Sequence, residues 1–165
     1  MNQPTGPIET LTRIQEASFA RASGSTSGAF PPERRMDGAQ LTAFLGAHRT
    51  GVLATTRADG RPHAAPIGFA LVATKLVFAT LADAARVRNL RHEPHASLVV
   101  SAGDGDTHAV VIAEGITRLA APLECPLEMR QPFRDAEGNL PGWVGLLIVL
   151  TPERLLSYAA PGFTV

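Results

Sequence analysis

The chain has 165 residues, of which 45% are hydrophobic, and 15 basic and 15 acidic side chains leave a formal net charge of zero at pH 7. This length and composition predict one domain with a sizeable core, and the absence of a basic stripe argues against a nucleic-acid partner. The single cysteine, Cys125, excludes a disulfide framework within the chain, and no apolar run has the length of a membrane span or a signal peptide. We therefore expect a cytoplasmic protein without a membrane partner.

Residues 1–36 are predicted to form a helix followed by a flexible arm. The helix is indicated by apolar residues at a loosely amphipathic spacing, which are Ile8, Leu11, Ile14 and Phe19. The run from Ser23 to Gly28 and the pair Pro31 and Pro32 have the composition of a flexible linker. Two interpretations of the helix stay open: a surface helix on a tether, or an arm that packs across a partner subunit.

The second predicted domain, residues 37–165, begins with a helix at Asp37 and continues into a β-hairpin. The first strand is Gly51 to Arg57, rich in β-branched residues, and Asp59 and Gly60 form the tight turn. The return strand runs from Arg61 to about Val72. Pro66 within it predicts a sheet edge or a bend, because proline donates no backbone hydrogen bond.

A possible anion site follows this hairpin. Lys75 to Thr80 is predicted to be a short strand, and Asp83 is predicted to cap a helix from Ala84 to His92. Arg86 then falls in the first turn of that helix, where free N–H groups and the helix dipole favour an anion. Since Thr80 adds a hydroxyl at the strand end, this pattern predicts a phosphate site.

The rest of the chain completes the sheet. The predicted elements are a strand from His95 to Ser101, a turn from Gly103 to Asp106, a long strand from His108 to Leu119, a short helix around Leu123 to Phe133, and strands from Val144 to Leu150 and Arg154 to Tyr158. Both faces of the long strand are largely apolar, which is typical of a strand buried in a barrel on one side and at an interface on the other. We therefore expect a dimer.

Several of these segments resemble the pyridoxamine 5'-phosphate oxidase-like split β-barrel superfamily. They are GVLATTRADGRPHAAPIGFAL, KLVFAT, ARVRNLRHEPHASLVV, VVIAEGITRL and LLIVLTPERLLSY, all between about Leu41 and Tyr158. The chain is most similar to the branch of flavin and deazaflavin oxidoreductases. The resemblance implies a mainly β (α+β) fold, a six-stranded antiparallel split β-barrel with a few short flanking helices, and a homodimer with the cofactor in a groove between subunits.

The resemblance also implies which residues hold a cofactor. Its ring is expected over the backbone of four residues, which are Ala65, Pro66, Ile67 and Gly68. Its phosphate is expected at Thr80 and Arg86, where the planar guanidinium replaces the lysine of many relatives. The implied activity is hydride transfer between the cofactor and a small organic electrophile, and no catalytic side chain is assigned.

Two cofactors fit this resemblance, the deazaflavin coenzyme F420 and FMN. Only Arg86 remains of the cations with which pyridoxamine phosphate oxidases hold FMN, whereas the longer tail of F420 has Arg88 and Arg91 to contact, so F420 is favoured. The alternative is a carrier or sensor that binds a flavin or haem without turnover. His63 is the nearest candidate proton donor, although a single histidine beside a strand more often makes a local hydrogen bond.

Other candidate residues point less clearly to a site. The five histidines lack metal-ligand spacing with cysteine or paired carboxylates, so no metal site is predicted. His92 and His108 are open as axial haem ligands. Trp143, the only tryptophan, is interpreted as a core or interface anchor, with the alternative that it lines the groove.

Overall fold

The computed structural model describes residues 6–164, which form a curled antiparallel sheet of seven strands with helices around it. The strands are β1 (Thr50–Thr56), β2 (Pro62–Gly68), β3 (Ala70–Val72), β4 (Lys75–Thr80), β5 (His95–Ala102), β6 (Ala109–Ala120) and β7 (Leu146–Ala159). The helices are α1 (Pro7–Ala20), α2 (Gly24–Ala29), α3 (Gly38–Ala47), α4 (Ala85–His92) and α5 (Leu127–Arg130). None of the helices in this part of the chain is long and apolar enough to cross a bilayer.

The sheet curls because its two edge strands are neighbours in the chain. The strand order is β2-β1-β5-β6-β7-β4-β3, so β2 and β3 lie at opposite edges. Only Phe69 separates them, and its N–H donates to the carbonyl oxygen of Arg49 at 2.9 Å, which continues the pairing of β2 with β1 by one residue. The two edges therefore meet at Phe69. The mainly β architecture with flanking helices is confirmed.

The strand count and two strand boundaries differ from the predictions. The sheet edge predicted at Pro66 is confirmed, because Pro66 lies in the edge strand β2 opposite Val52. The predicted return strand breaks at Phe69, between β2 and β3. The last two predicted strands are one strand, β7, of 14 residues. The structure therefore has seven strands rather than the six that we expected.

A bulge beside Gly115 lets β7 run without a break. The pairing of β6 with β7 shifts register between Glu114 and Gly115. A Cβ atom at Gly115 would overlap with the carbonyl oxygen of Thr151 on β7, and that backbone oxygen has no freedom to rotate away. Close approach of two backbones thus requires glycine at this position.

The variant Gly115→Ala is expected to lower the free energy of unfolding by about 1–3 kcal/mol, the usual cost of overpacking. The matched control is Gly46→Ala in α3, where an added Cβ meets nothing within 4 Å. This control should leave stability unchanged or raise it by up to about 1 kcal/mol. Urea unfolding measures both, and equal stability of the two variants would show that the bulge tolerates a side chain.

Helix α1 packs into the core rather than standing on a tether. Leu11 is fully buried in the main hydrophobic cluster together with Leu155 of β7. The side-chain amide of Gln15 donates to the carbonyl oxygen of Met36 at 2.7 Å, and Ser157 of β7 donates to the Gln15 Oε1 atom at 2.5 Å. These contacts join α1 to the sheet of its own chain.

A short helix, α2, occupies the segment predicted to be a flexible linker. Ser23 caps it by accepting a hydrogen bond from the N–H of Thr26 at 3.2 Å. A cap of this kind favours helix over coil in a serine- and glycine-rich run. The division of the chain into two domains, residues 1–36 and 37–165, stays a prediction. Residues 1–5 of the first and residue 165 of the second lie outside the described residues.

Candidate functional site

A cleft of about 580 Å³ lies between the β1–β2 hairpin and helix α4. We call it the hairpin cleft. Its lining residues are Arg57, Ala58, Asp59, His63, Ala85, Arg88 and Asn89. Two distant parts of the sequence therefore supply the positive side chains of one concave surface.

The hairpin turn holds Arg57 at the mouth of this cleft. The N–H of Arg57 donates to the carbonyl oxygen of Arg61 at 2.9 Å, and that of Gly60 donates to Arg57 at 2.8 Å. Gly60 has a φ of +81°, a conformation that glycine adopts without steric cost. The turn predicted at Asp59 and Gly60 is thus confirmed.

Helix α4 begins without the predicted cap. Its N-cap residue is Ala84, which has no side-chain oxygen, and Asp83 lies one residue earlier and is exposed. The prediction of Asp83 as the cap was therefore wrong. Arg88 instead folds back and donates to the carbonyl oxygen of Asp83. The first N–H groups of α4 consequently have no side-chain acceptor from a cap, and an anion or water can accept from them.

A buried hydrogen-bond chain joins α4 to both strands of the hairpin. The Asn89 Nδ2 atom donates to the Thr55 hydroxyl oxygen at 2.9 Å, and that oxygen lies 3.4 Å from His63 Nδ1. Asn89 and Thr55 are both buried. The chain sets the separation of α4 from β1 and β2, and therefore sets the width of the hairpin cleft.

The variant Asn89→Ala is expected to destabilise the fold by about 1–3 kcal/mol, because it leaves a buried hydroxyl short of a partner. The matched control is Asn139→Ala, an exposed asparagine in the loop before β7. Chemical unfolding of both variants gives the comparison. A loss no larger than that of the control would mean that α4 is held by apolar packing alone.

The predicted ring residues lie on the edge strand β2. Pro66 and Gly68 are exposed, Ala65 is half-buried and Ile67 is buried. Because the Ile67 side chain packs in the main core, only the backbone of Ile67 lies at the surface of the strand. The four residues therefore lie along an exposed sheet edge, and their role in binding a cofactor ring stays a prediction.

The predicted phosphate residues Thr80 and Arg86 do not line the hairpin cleft. Thr80 is buried at the end of β4, and its carbonyl oxygen accepts from the N–H of Gly145 at 3.0 Å. Arg86 is half-buried and is the second residue of α4. At about 100° per residue, Arg86 lies about 100° from Ala85, between the cleft-lining side and the buried side of the helix.

Of the two cleft-lining cations, Arg57 was not predicted as a cofactor contact, and Arg88 was predicted only as a contact for the tail of F420. Within residues 6–164, neither Arg57, Arg86 nor Arg88 pairs with a carboxylate. Asp59, the only acid that lines the cleft, is 3.8 Å from Arg61. The hairpin cleft therefore has unneutralised positive charge, and its donors fit a phosphate.

A second, smaller cleft of about 200 Å³ lies beside the end of β2. We call it the aromatic cleft. It is lined by Arg49, Gly68, Phe69, Ala79, Phe133 and Trp143. Trp143 is 53% exposed and so is not a core anchor, while its interpretations as an interface anchor and as a residue of the cofactor groove stay predictions.

A third cleft of about 450 Å³ lies across strands β1, β5, β6 and β7. We call it the outer cleft. Its one arginine is paired, since Arg154 donates to the Glu114 carboxylate at 2.9 Å, and Glu153 adds a second acid. His95, which also lines it, donates to Glu93 and lowers the pKa of that carboxyl. The outer cleft is therefore less suited to binding an anion than the hairpin cleft is. Across residues 6–164, the histidines form no cluster with other potential metal ligands.

Comparison with known proteins identifies the family. The family model for pyridoxamine 5'-phosphate oxidase matches residues 38–129. The conserved hypothetical protein Rv2991 from Mycobacterium tuberculosis is similar in structure, with 23% identity, a TM-score of 0.67, and coverage of 82% of this chain and 96% of that one. An FAD-binding protein from Mesorhizobium loti has 19% identity and a TM-score of 0.61, with 77% and 97% covered. The heme storage protein HutZ from Vibrio cholerae has 20% identity and a TM-score of 0.58, with 74% and 95% covered. These structures share the fold, and the chain belongs to the pyridoxamine 5'-phosphate oxidase family.

Proposed function

We propose that this protein is an oxidoreductase that binds a flavin-type cofactor and transfers a hydride between it and a small organic electrophile. The observation that carries the proposal is the hairpin cleft, where Arg57 and Arg88 lie without carboxylate partners in a member of this family. Guanidinium groups and the open N-terminus of α4 are donors that suit a phosphate.

Strand β2 is the part of the proposed site that would bind the cofactor ring. An edge strand presents backbone N–H and C=O groups that no neighbouring strand uses. Ala65 to Gly68 lie on this edge, with Pro66 and Gly68 exposed. The hydrogen-bonding edge of a flavin-type ring matches such a surface. When bound, the cofactor supplies the hydride chemistry, and these residues supply its position and its electrostatic surroundings.

Coenzyme F420 and FMN are the two proposed cofactors. The preference for F420 rests on Arg86 as the single phosphate cation and on Arg88 and Arg91 as contacts for the long tail. Because Arg57 and Arg88 line one cleft and together offer two cations to the phosphate of FMN, they weaken that preference. Arg91, exposed further along α4, is available to the longer anionic tail of F420. Measuring the affinity of the protein for F420 and for FMN distinguishes between these two cofactors.

We also propose that the protein is a homodimer. Pro66 lies opposite Val52, Val52 opposite Val99, and Val99 opposite Ile112, which makes an apolar row across four strands. The row faces away from the core, because Leu53 next to Val52 is buried while Val52 is 43% exposed. Sedimentation velocity is expected to give the mass of two chains, and a monomer at micromolar concentration would contradict the proposal.

A non-catalytic carrier of flavin or haem is the alternative function. It is favoured by the similarity in fold to the heme storage protein HutZ and to a heme binding protein from Mycobacterium smegmatis. His63 is the histidine within the hairpin cleft. As an axial haem ligand it would have to leave its contact with Thr55.

Absorbance titration of the purified protein with FMN, F420 and haem tests these assignments, because the three ligands have distinct visible bands. We expect saturable binding of F420 or FMN at micromolar concentration, followed by oxidation of the reduced cofactor when an electrophile is added. Binding of haem alone would support the carrier. If none of the three binds, the oxidoreductase proposal is wrong.

A further inference from the structure

The aromatic cleft lies directly beside the proposed ring surface. Gly68 is the last of the four ring residues and also lines this cleft. Ala79, another lining residue, immediately precedes Thr80. A molecule in the aromatic cleft would therefore contact the end of β2 without occupying the hairpin cleft.

Two aromatic side chains from the segment between β6 and β7 form one wall of the cleft. Phe133 ends a short 3₁₀ turn, and Trp143 lies three residues before β7. Phe69, between β2 and β3, also lines the cleft, but its side chain is buried in the main core. Such walls favour a flat ligand, since aromatic rings stack face to edge or with an offset.

Arg49 gives the cleft its charge. Its backbone oxygen accepts from Phe69 at 2.9 Å, and its Nη2 atom donates to the carbonyl oxygen of Pro132 at 3.4 Å. These two contacts hold Arg49 between the sheet edge and the aromatic wall. It forms no ion pair within residues 6–164, so most of its guanidinium N–H groups are available to a ligand.

The volume of the cleft limits the size of its ligand. At about 200 Å³ it is smaller than the pockets that hold drug-sized molecules, so it suits one ring or a short conjugated system. An arginine fork binds a carboxylate with two parallel hydrogen bonds. Size, flat walls and an unpaired cation together specify the ligand class.

We propose that the aromatic cleft binds a small planar carboxylate. The proposed substrate is a carboxylate conjugated to a carbon–carbon double bond, which accepts the hydride and a proton, whereas an aryl carboxylate binds as an analogue that is not reduced. As the substrate class of the enzyme this assignment rests on the proposed function, because it needs the cofactor ring at β2. The binding itself depends only on Arg49, Phe133 and Trp143.

Trp143 reports this binding directly, because it is the only tryptophan in the chain. Cofactor-free protein is titrated with benzoate and trans-cinnamate, with benzamide and cinnamyl alcohol as neutral counterparts, and the tryptophan emission is recorded. We expect saturable quenching by both acids and at least about tenfold weaker binding of the neutral compounds, the scale of a charged hydrogen bond.

The variant Arg49→Ala should weaken binding of both acids about tenfold or more while leaving their neutral counterparts unaffected. Arg61→Ala, which removes an exposed arginine at the hairpin turn, is the matched control and should bind like the unmodified protein. Isothermal calorimetry gives the same affinities without relying on Trp143. Thermal unfolding confirms that both variants remain folded.

Two results would overturn the proposal: no saturable quenching at millimolar concentration, or equal binding of acids and neutral compounds. The cofactor titration by visible absorbance is a separate readout. If F420 or FMN binds and the acids do not, only the carboxylate proposal is wrong. If the acids bind and no cofactor does, the proposed function is wrong and the carboxylate site stands.

Discussion

Replacing Leu11 by alanine is expected to lower the free energy of unfolding by about 2–5 kcal/mol, the cost of a large-to-small change at a fully buried site. Leu11 belongs to the main cluster, where α1 meets α3 and β7. The cavity would open at the junction of three elements that hold one another in place. None of the three elements can move into the cavity without losing backbone hydrogen bonds. We therefore expect the structure around the cavity to relax little.

Ile8→Ala on the same helix is the control for Leu11→Ala. Ile8 is 47% exposed, and its loss should change stability by no more than about 0.5 kcal/mol. Urea unfolding followed by circular dichroism measures both variants. Equally small effects would mean that α1 is a detachable arm, as one interpretation of the sequence has it, and that the core begins at α3.

Replacing Arg88 by alanine is expected to weaken cofactor binding by about 1.5–3 kcal/mol, which is roughly 10- to 150-fold in Kd. Arg88 lines the hairpin cleft and has no carboxylate partner in residues 6–164. Its charge is therefore available to a phosphate. Arg88→Lys keeps the charge but loses the planar fork, so an intermediate affinity is expected.

Arg91→Ala is the matched control, because it removes the same charge from the same helix at an exposed position outside the cleft. FMN, which lacks the long tail, should bind this variant like the unmodified protein. Arg86→Ala tests the residue that the sequence predicts as the phosphate ligand. If Arg86→Ala abolishes binding while Arg88→Ala has no effect, the phosphate lies on the Thr80 side of α4 and not in the hairpin cleft.

Local sequence signals predicted the elements that depend on local chemistry. The hairpin turn at Asp59 and Gly60 forms as expected, since glycine supplies the positive φ that the turn needs. The strand from Lys75 to Thr80 has the predicted boundaries. Asp37 caps α3 with a hydrogen bond from the N–H of Gln40 at 2.8 Å. For the turn and the cap the determining contact spans four residues or fewer, whereas the strand also pairs with β7.

Features that depend on distant contacts were not predictable in this way. The break at Phe69 arises because β2 pairs with β1 whereas β3 pairs with β4, at the opposite edge of the sheet. The burial of Leu11 depends on β7 at the other end of the chain. An amphipathic pattern shows that a helix has an apolar side but not what covers it.

The same limit applies to the candidate site. Family resemblance pointed to Arg86 because Arg86 falls within a recognisable segment, and the family itself is confirmed. Arg57 joins Arg88 only because Asn89 ties α4 to the hairpin through Thr55. No spacing in the sequence links these residues, so only the folded chain brings them together.

A crystal structure of the protein with FMN or F420 tests the central claim most directly. We predict that the cofactor phosphate lies in the hairpin cleft within hydrogen-bonding distance of Arg57 or Arg88, with the ring over Ala65 to Gly68. A phosphate in the outer cleft beside Arg154, or a ring remote from β2, would contradict this account.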